Sequence, residues 1–164
     1  MRYSAIILTA LIIFTGCSAR EKPAPLSLAA PLFSEDAELI ETAELLLTNN
    51  PFRGDADSFS FLCGGFQWEI NPDEYGLLFF AVNRTGSEIY DITFNFTYKT
   101  KSDFIFRNEL IILSREQYGV LENNSAFPVV LIVNGEKWQG FLDGYFSAEY
   151  EMQMEITELN YKGD

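Results

Sequence analysis

Histidine is absent from the chain. That removes the side chain most often used as a general base near neutral pH and most often found on a transition metal. Ser-His and Cys-His nucleophile pairs are therefore excluded, and Gly-x-Ser-x-Gly and Ser-x-x-Lys elements do not occur. Cysteine is nearly absent too: Cys17 and Cys63 cannot form a thiolate cluster for a soft metal. Positive charge is scarce, with 11 Lys and Arg against 24 Asp and Glu and a formal net charge of −13. Nucleic-acid binding needs a basic face that displaces counterions, so no nucleic-acid partner is expected. What the chain does hold is apolar: 48% hydrophobic and 15% aromatic over 164 residues. A disordered acidic chain would be poor in aromatics. The length fits one domain, or one domain and a tail, and suffices to bury a core without a disulfide.

The N-terminus reads as an address. One early positive charge, Arg2, precedes an apolar run over 5–14, broken only by Thr9, and then Thr15-Gly16-Cys17. This is the pattern of a secretory signal, and the run falls short of the roughly 20 apolar residues of a spanning helix. Phe14-Thr15-Gly16-Cys17 resembles the bacterial lipobox, with Phe14 where Leu is usual. The resemblance implies cleavage behind Gly16, a diacylglycerol thioether on Cys17 and an exported protein held to the lipid bilayer of the cell envelope. Ser18 after the cysteine implies the outer membrane in a two-membrane cell. The alternative is an ordinary signal peptide with a chance cysteine. Cleavage would remove Arg2 and leave the chain still more acidic, so the folded part would be repelled by anionic headgroups and the lipid would have to hold it.

The expected organisation is a signal peptide over 1–16, a Pro-rich tether over 17–33 and a folded domain over 34–164. Pro23, Pro25 and Pro31 stiffen the tether, while Leu26, Leu28, Leu32 and Phe33 allow part of it to pack on the domain. The spacing predicts an amphipathic helix over 34–47, capped by Ser34. Leu39, Ile40, Ala43, Leu46 and Leu47 lie on one face and Glu38, Glu41 and Glu44 on the other. From residue 58 the period becomes two. Phe59, Phe61 and Cys63 alternate with polar neighbours, as do Phe66, Trp68 and Ile70; 77–82 is apolar on both faces; Ile92, Phe94, Phe96 and Tyr98 alternate again. Strands are expected over 104–106 and 110–113, and over 129–133 after Pro128. Asn134-Gly135 signals a tight hairpin, with a return strand over 136–142 and a turn at Asp143-Gly144. In the last strand Ala148, Tyr150, Met152, Met154 and Ile156 face one way and Glu149, Glu151, Gln153, Glu155 and Thr157 the other. These segments predict an all-β protein: an antiparallel, immunoglobulin-like β-sandwich of about 7–8 strands with one N-terminal helix.

Few residues single themselves out for chemistry. Asp55-Ala56-Asp57-Ser58 starts like a calcium loop but lacks the later ligands and glycine of an EF-hand. Arg53-Gly54-Asp55 is explained by a glycine turn. Two carboxylates suffice for glycoside hydrolysis, but nothing marks a pair among so many acids. Cys63, beside Phe61 and Phe66, reads as a buried thiol or as half of an intermolecular disulfide. No catalytic residue, metal site or cofactor is expected. Trp68, Tyr75, Trp138 and Tyr145 lie near turns or strand ends, where aromatics either bind sugars and proteins or fill the core.

The stretch 76–133 carries a second resemblance. A strand over 77–82 runs into Asn83-Arg84-Thr85-Gly86-Ser87, a long strand with Ile89, Ile92 and Phe94 follows, and Tyr118 to Pro128 leads into another apolar strand. This plan resembles the small immunoglobulin-like domains of bacterial exported proteins, of which the FxLYD-type and SLAP-type accessory domains are examples and to which the BsuPI-like inhibitor domains are similar in outline. The Phe-x-Leu-Tyr-Asp element itself is missing. The resemblance implies a non-enzymatic module for envelope assembly or protein–protein interaction, with an envelope protein as partner. A small-ligand or glycan-binding protein using rim aromatics is the alternative, and a two-carboxylate enzyme the third.

Overall fold

Among the described residues the chain forms seven strands and three helices. The computed structural model describes residues 24–29, 36–101 and 103–162. In chain order they form β1 (Ser27–Leu28), α1 (Ala37–Asn49), β2 (Phe59–Asn71), β3 (Glu74–Asn83), β4 (Ile89–Thr100), β5 (Phe104–Leu113), α2 (Arg115–Tyr118), β6 (Ser125–Asn134), α3 (Gly135–Ser147) and β7 (Tyr150–Tyr161). Two sheets pack face to face as a mostly-β sandwich. Sheet A has the order β1-β6-β3-β2 and sheet B the order β5-β4-β7. All pairings are antiparallel except β1 with β6.

β3 is apolar on both faces because it is buried on both. Leu77, Phe79 and Ala81 join the core between the sheets, where they meet Phe94, Phe96 and Tyr98 of β4. Leu78, Phe80 and Val82 point the other way, into a second cluster with Ala43 and Leu47 of α1. The molecule thus has three layers: α1, sheet A and sheet B. The inter-sheet core is dense in rings. Phe61 stacks on Phe79 at 5.0 Å and meets Phe96 edge-on at 5.1 Å, geometries each worth about 0.5–1.5 kcal/mol beyond area burial.

Several segments differ from the sequence reading. The helix begins at Ala37, with the Asp36 carboxylate accepting from the Leu39 N–H at 2.9 Å; Ser34, the expected cap, lies outside the described residues. β2 is one strand interrupted between Cys63 and Gln67 by two extra residues. Gly64 sits there because a Cβ would come within 2.8 Å of the Leu78 carbonyl, and Gly65 because its φ is +77°. The expected break at 107–109 is likewise a bulge within β5, where Asn108 has φ 50°.

The largest correction is at Asn134-Gly135. They start helix α3, not a hairpin, and the return strand over 136–142 and the turn at Asp143-Gly144 do not exist. With α2, the described residues hold three helices where one was expected. Asn134 caps α3, its side chain accepting from the Lys137 N–H at 3.1 Å. Trp138, Phe141, Leu142 and Tyr145 fall at helical spacing and pack on the core. That burial outweighs the helix-weakening Gly140 and Gly144. Asn134→Ala is expected to destabilise the domain by about 1 kcal/mol in urea unfolding; no change would mean that packing alone sets the start of α3.

Candidate functional site

The outer face of sheet B presents exposed aliphatic and acidic side chains together. β4 supplies its centre, with Thr93, Asn95 and Thr97 half-buried and pointing outward. In register on one side stand Ile112 and Leu110 of β5, and on the other Glu158, Glu155 and Gln153 of β7. Leu110 and Ile112 are 56% and 53% exposed, so two large aliphatic side chains stand in water on a three-stranded platform. Their alternate neighbours Ile111 and Leu113 are buried in the core. The apolar run Leu110-Ile111-Ile112-Leu113 carried the signal: such a run wants cover on both faces, and at the flank of sheet B only the inner face has it.

The four aromatics singled out in the sequence separate. Tyr75, Trp138 and Tyr145 come together where α3 closes one end of the sandwich. Tyr75 stacks on Trp138 at 4.2 Å and 2°, Trp138 on Phe141 at 5.7 Å, Phe141 on Tyr145 at 5.9 Å and Tyr145 on Tyr150 at 6.3 Å. Trp138 and Tyr145 thus have a ring on each face. Trp68 lies apart, beside Phe66 at 5.6 Å and directly over Gly76, where a Cβ would come within 2.6 Å of the indole. It borders a cleft of about 140 Å³ between α1 and β2, lined also by Asp36, Glu38, Leu39 and Thr42. Cys17 lies outside the described residues.

Cys63 is a half-buried free thiol packed against the inter-sheet core. Burial pushes its pKa up, against smaller opposing effects of the Gly65 backbone and the Arg53 charge. The thiol is therefore protonated near neutral pH and poorly nucleophilic. Iodoacetamide at pH 7.5 is expected to label folded Cys63 at least about ten times more slowly than the unfolded chain, and faster as pH rises. Equal rates would mean an accessible thiolate. Nearby, the Tyr98 hydroxyl is buried without a hydrogen-bond partner, and burial raises its pKa as well.

The two loop motifs are used structurally. Arg53 donates to the carbonyls of Cys63 and Gly64 and lies over the Phe80 ring, with Gly54 at φ +83°. Ser58 and Ser60 tie down the backbone of Asp55, one hydroxyl donating to its carbonyl and the other accepting from its N–H. Among the described residues no group of three or more acidic or thiol side chains is gathered to hold a metal ion, and no helix is long and apolar enough to cross a membrane.

No family model and no curated protein matches the chain. A solved structure described as "Crystal structure of protein from Archaeoglobus fulgidus" is similar to it at 11% identity and a TM-score of 0.29, over 63% of this chain and 89% of that one. At that score the two folds are not shown to be the same.

Proposed function

We propose that the chain is a bacterial lipoprotein, anchored in the cell envelope through acylated Cys17, whose sandwich is a non-enzymatic protein–protein interaction module. The observation that carries the interaction is the uncovered face of sheet B, with Leu110 and Ile112 exposed beside a row of acids. Exposed aliphatic pairs rimmed by polar groups are a usual mark of a protein contact.

The immunoglobulin-like reading of the domain is supported by the path of the chain. Successive strands leave sheet A after β3, return at β6 and leave again for β7. β2, β3 and β6 then correspond to strands A, B and E of that fold, and β4 and β7 to C and F, with β5 beside C. Among the described residues no strand stands at the G position next to β7.

The glycan reading draws on the cleft beside Trp68. Its volume of about 140 Å³ is below the roughly 300 Å³ at which ligand pockets begin, whereas an open concavity of about 680 Å³ lies beside Tyr75, lined also by Pro72, Asp73, Asn134 and Glu136, and Tyr75 stacks on Trp138. The experiment that separates the readings is chemical crosslinking in intact cells carrying the full chain. A discrete protein adduct that disappears in the Leu110→Asp, Ile112→Asp double variant supports the interaction module. No adduct, together with a reproducible thermal shift on adding sugars or Ca²⁺, would replace it with the ligand-binding reading.

A further inference from the structure

On one side sheet B ends in β7, which among the described residues pairs with β4 alone. Over 150–156 this pairing runs one-to-one, from Thr100↔Tyr150 to Phe94↔Ile156, and the extra residue of a bulge, Thr157, comes only afterwards. An edge strand presents unpaired N–H and C=O groups along its free side, and native sheets usually blunt such edges. The other edges here are blunted. β2 carries its two-residue insertion at 64–66, β5 is kinked at Asn108, and β6 has β1 beside its start and contains Pro128.

The side chains of 150–156 add direction to the opening. Facing inward, Met152 and Met154 are half-buried, and Tyr150 and Ile156 are 37% and 39% exposed. Their register partners on β4, Tyr98, Phe96, Thr100 and Phe94, are all buried. The core of the sandwich is therefore covered at its centre and open at the β7 rim, where one more strand would close it. Facing outward are Glu151, Gln153 and Glu155, and Lys99 is the one basic residue among their partners on β4.

We propose that 150–156 is a docking strand that accepts an extended segment of a partner protein as a fourth strand of sheet B, a segment in which apolar and basic residues alternate. This rests on the protein-interaction reading and gives that partner its chemistry. Main-chain hydrogen bonds to the free side of β7 would supply affinity, as in other cases of strand addition. The apolar side chains would cover the flanks of Met152 and Met154, and Lys or Arg at the intervening positions would stand opposite Glu151 and Glu155. In the register that centres the pair on 150–156, a second copy of this chain is disfavoured. An antiparallel pair centred on Gln153 sets Glu151 of one copy opposite Glu155 of the other, and like charges directly opposite are destabilising.

The test is amide hydrogen exchange on the full chain in detergent micelles with two synthetic peptides long enough to span 150–156. One alternates Val and Lys, the other Val and Glu. The Val-Lys peptide is expected to slow exchange in 150–156 about ten-fold or more, and the Val-Glu peptide to leave it unchanged. The Glu151→Lys, Glu155→Lys double variant changes exposed side chains only, and with an unaltered thermal midpoint it is expected to reverse this preference. Val-Lys binding with protection on α1 or β2 instead would overturn the docking strand while leaving the interaction module standing. Absence of protection with either peptide would overturn it as well, as would a preference the double variant leaves untouched. A peptide-free dimer with 150–156 already protected would assign the edge to a second copy. Loss of every crosslink in intact cells strikes the interaction reading itself, independently of these outcomes.

Discussion

Arg84→Ala is expected to lower the thermal midpoint of the domain by about 10 °C, from a loss of about 3 kcal/mol. Arg84 is only 4% exposed, and among the described residues no carboxylate pairs with it. Its guanidinium is spent on backbone and amide oxygens. Nε donates to the Arg53 carbonyl at 2.9 Å, one terminal nitrogen to the Ala24 carbonyl at 2.7 Å and to the Asn124 side chain at 3.2 Å, and the other to the Pro51 carbonyl at 3.2 Å. Three separate segments, around Ala24, over 51–53 and at Asn124, converge on one side chain at the end of β3. Removing it leaves the Ala24, Arg53 and Asn124 oxygens without this donor in a part-buried site, while the Pro51 carbonyl keeps the Leu26 N–H, and each orphaned group costs about 1–3 kcal/mol unless water reaches it. Arg84→Lys keeps a charge but not the planar fork that spans the segments, so it is expected to recover less than half of the loss. Hydrogen exchange gives a specific signature. The amides of Leu26 and Ala29, bonded to the Pro51 and Ala126 carbonyls, should open first. A midpoint within about 2 °C of wild type would show that solvent replaces Arg84 without loss.

Cys17→Ser is expected to abolish fatty-acid labelling and to move the protein from the membrane to the soluble fraction, leaving roughly a tenth or less behind. Stable anchoring takes more than one acyl chain, and the lipid proposed on Cys17 is the source of all of them. Little else in the chain could substitute. With 24 acidic residues against 11 basic, the domain is repelled by anionic headgroups, and no described helix crosses a bilayer. Continued labelling of the serine variant would refute the lipobox reading. Unlabelled protein that stays on the membrane would assign its retention to the uncleaved apolar run over 5–14 or to a protein contact, which removal of residues 1–16 separates.

Much of the sandwich was legible because its strands have one wet and one dry face, or two dry ones. β4 alternates Ile92, Phe94, Phe96 and Tyr98 inward with Thr93, Asn95 and Thr97 outward, and β3 is apolar on both faces over 77–82 because α1 covers its second face. The pairing of these strands was not legible, since β3 joins β6 across some forty intervening residues and no local pattern encodes that partner. α3 was hidden by a conflict of signals. Asn134-Gly135 suits a tight turn and also an N-cap, and Gly140 and Gly144 argue locally against a helix. The i, i+3, i+4, i+7 spacing of Trp138, Phe141, Leu142 and Tyr145 was the deciding pattern.

The candidate site was only partly readable for a related reason. Aromatic residues drew the eye as binding groups, yet Tyr75 and Trp138 stack on each other and Tyr145 stacks on Phe141 and Tyr150. The exposed pair Leu110 and Ile112 looked like ordinary strand residues, because exposure of one face of β5 depends on what packs over it. The acids of β7 were visible as a row, but that the strand lies at an edge follows from the sheet order alone.

The central claim is that sheet B meets a protein partner at the membrane. Its most direct measurement places a photocrosslinking amino acid at position 112 of the full chain in intact cells, with the same group at position 45, where Leu45 is exposed on α1, as the reference. The account predicts one discrete protein adduct from position 112 and none from position 45. Equal adducts from both positions, or none from position 112, would contradict it.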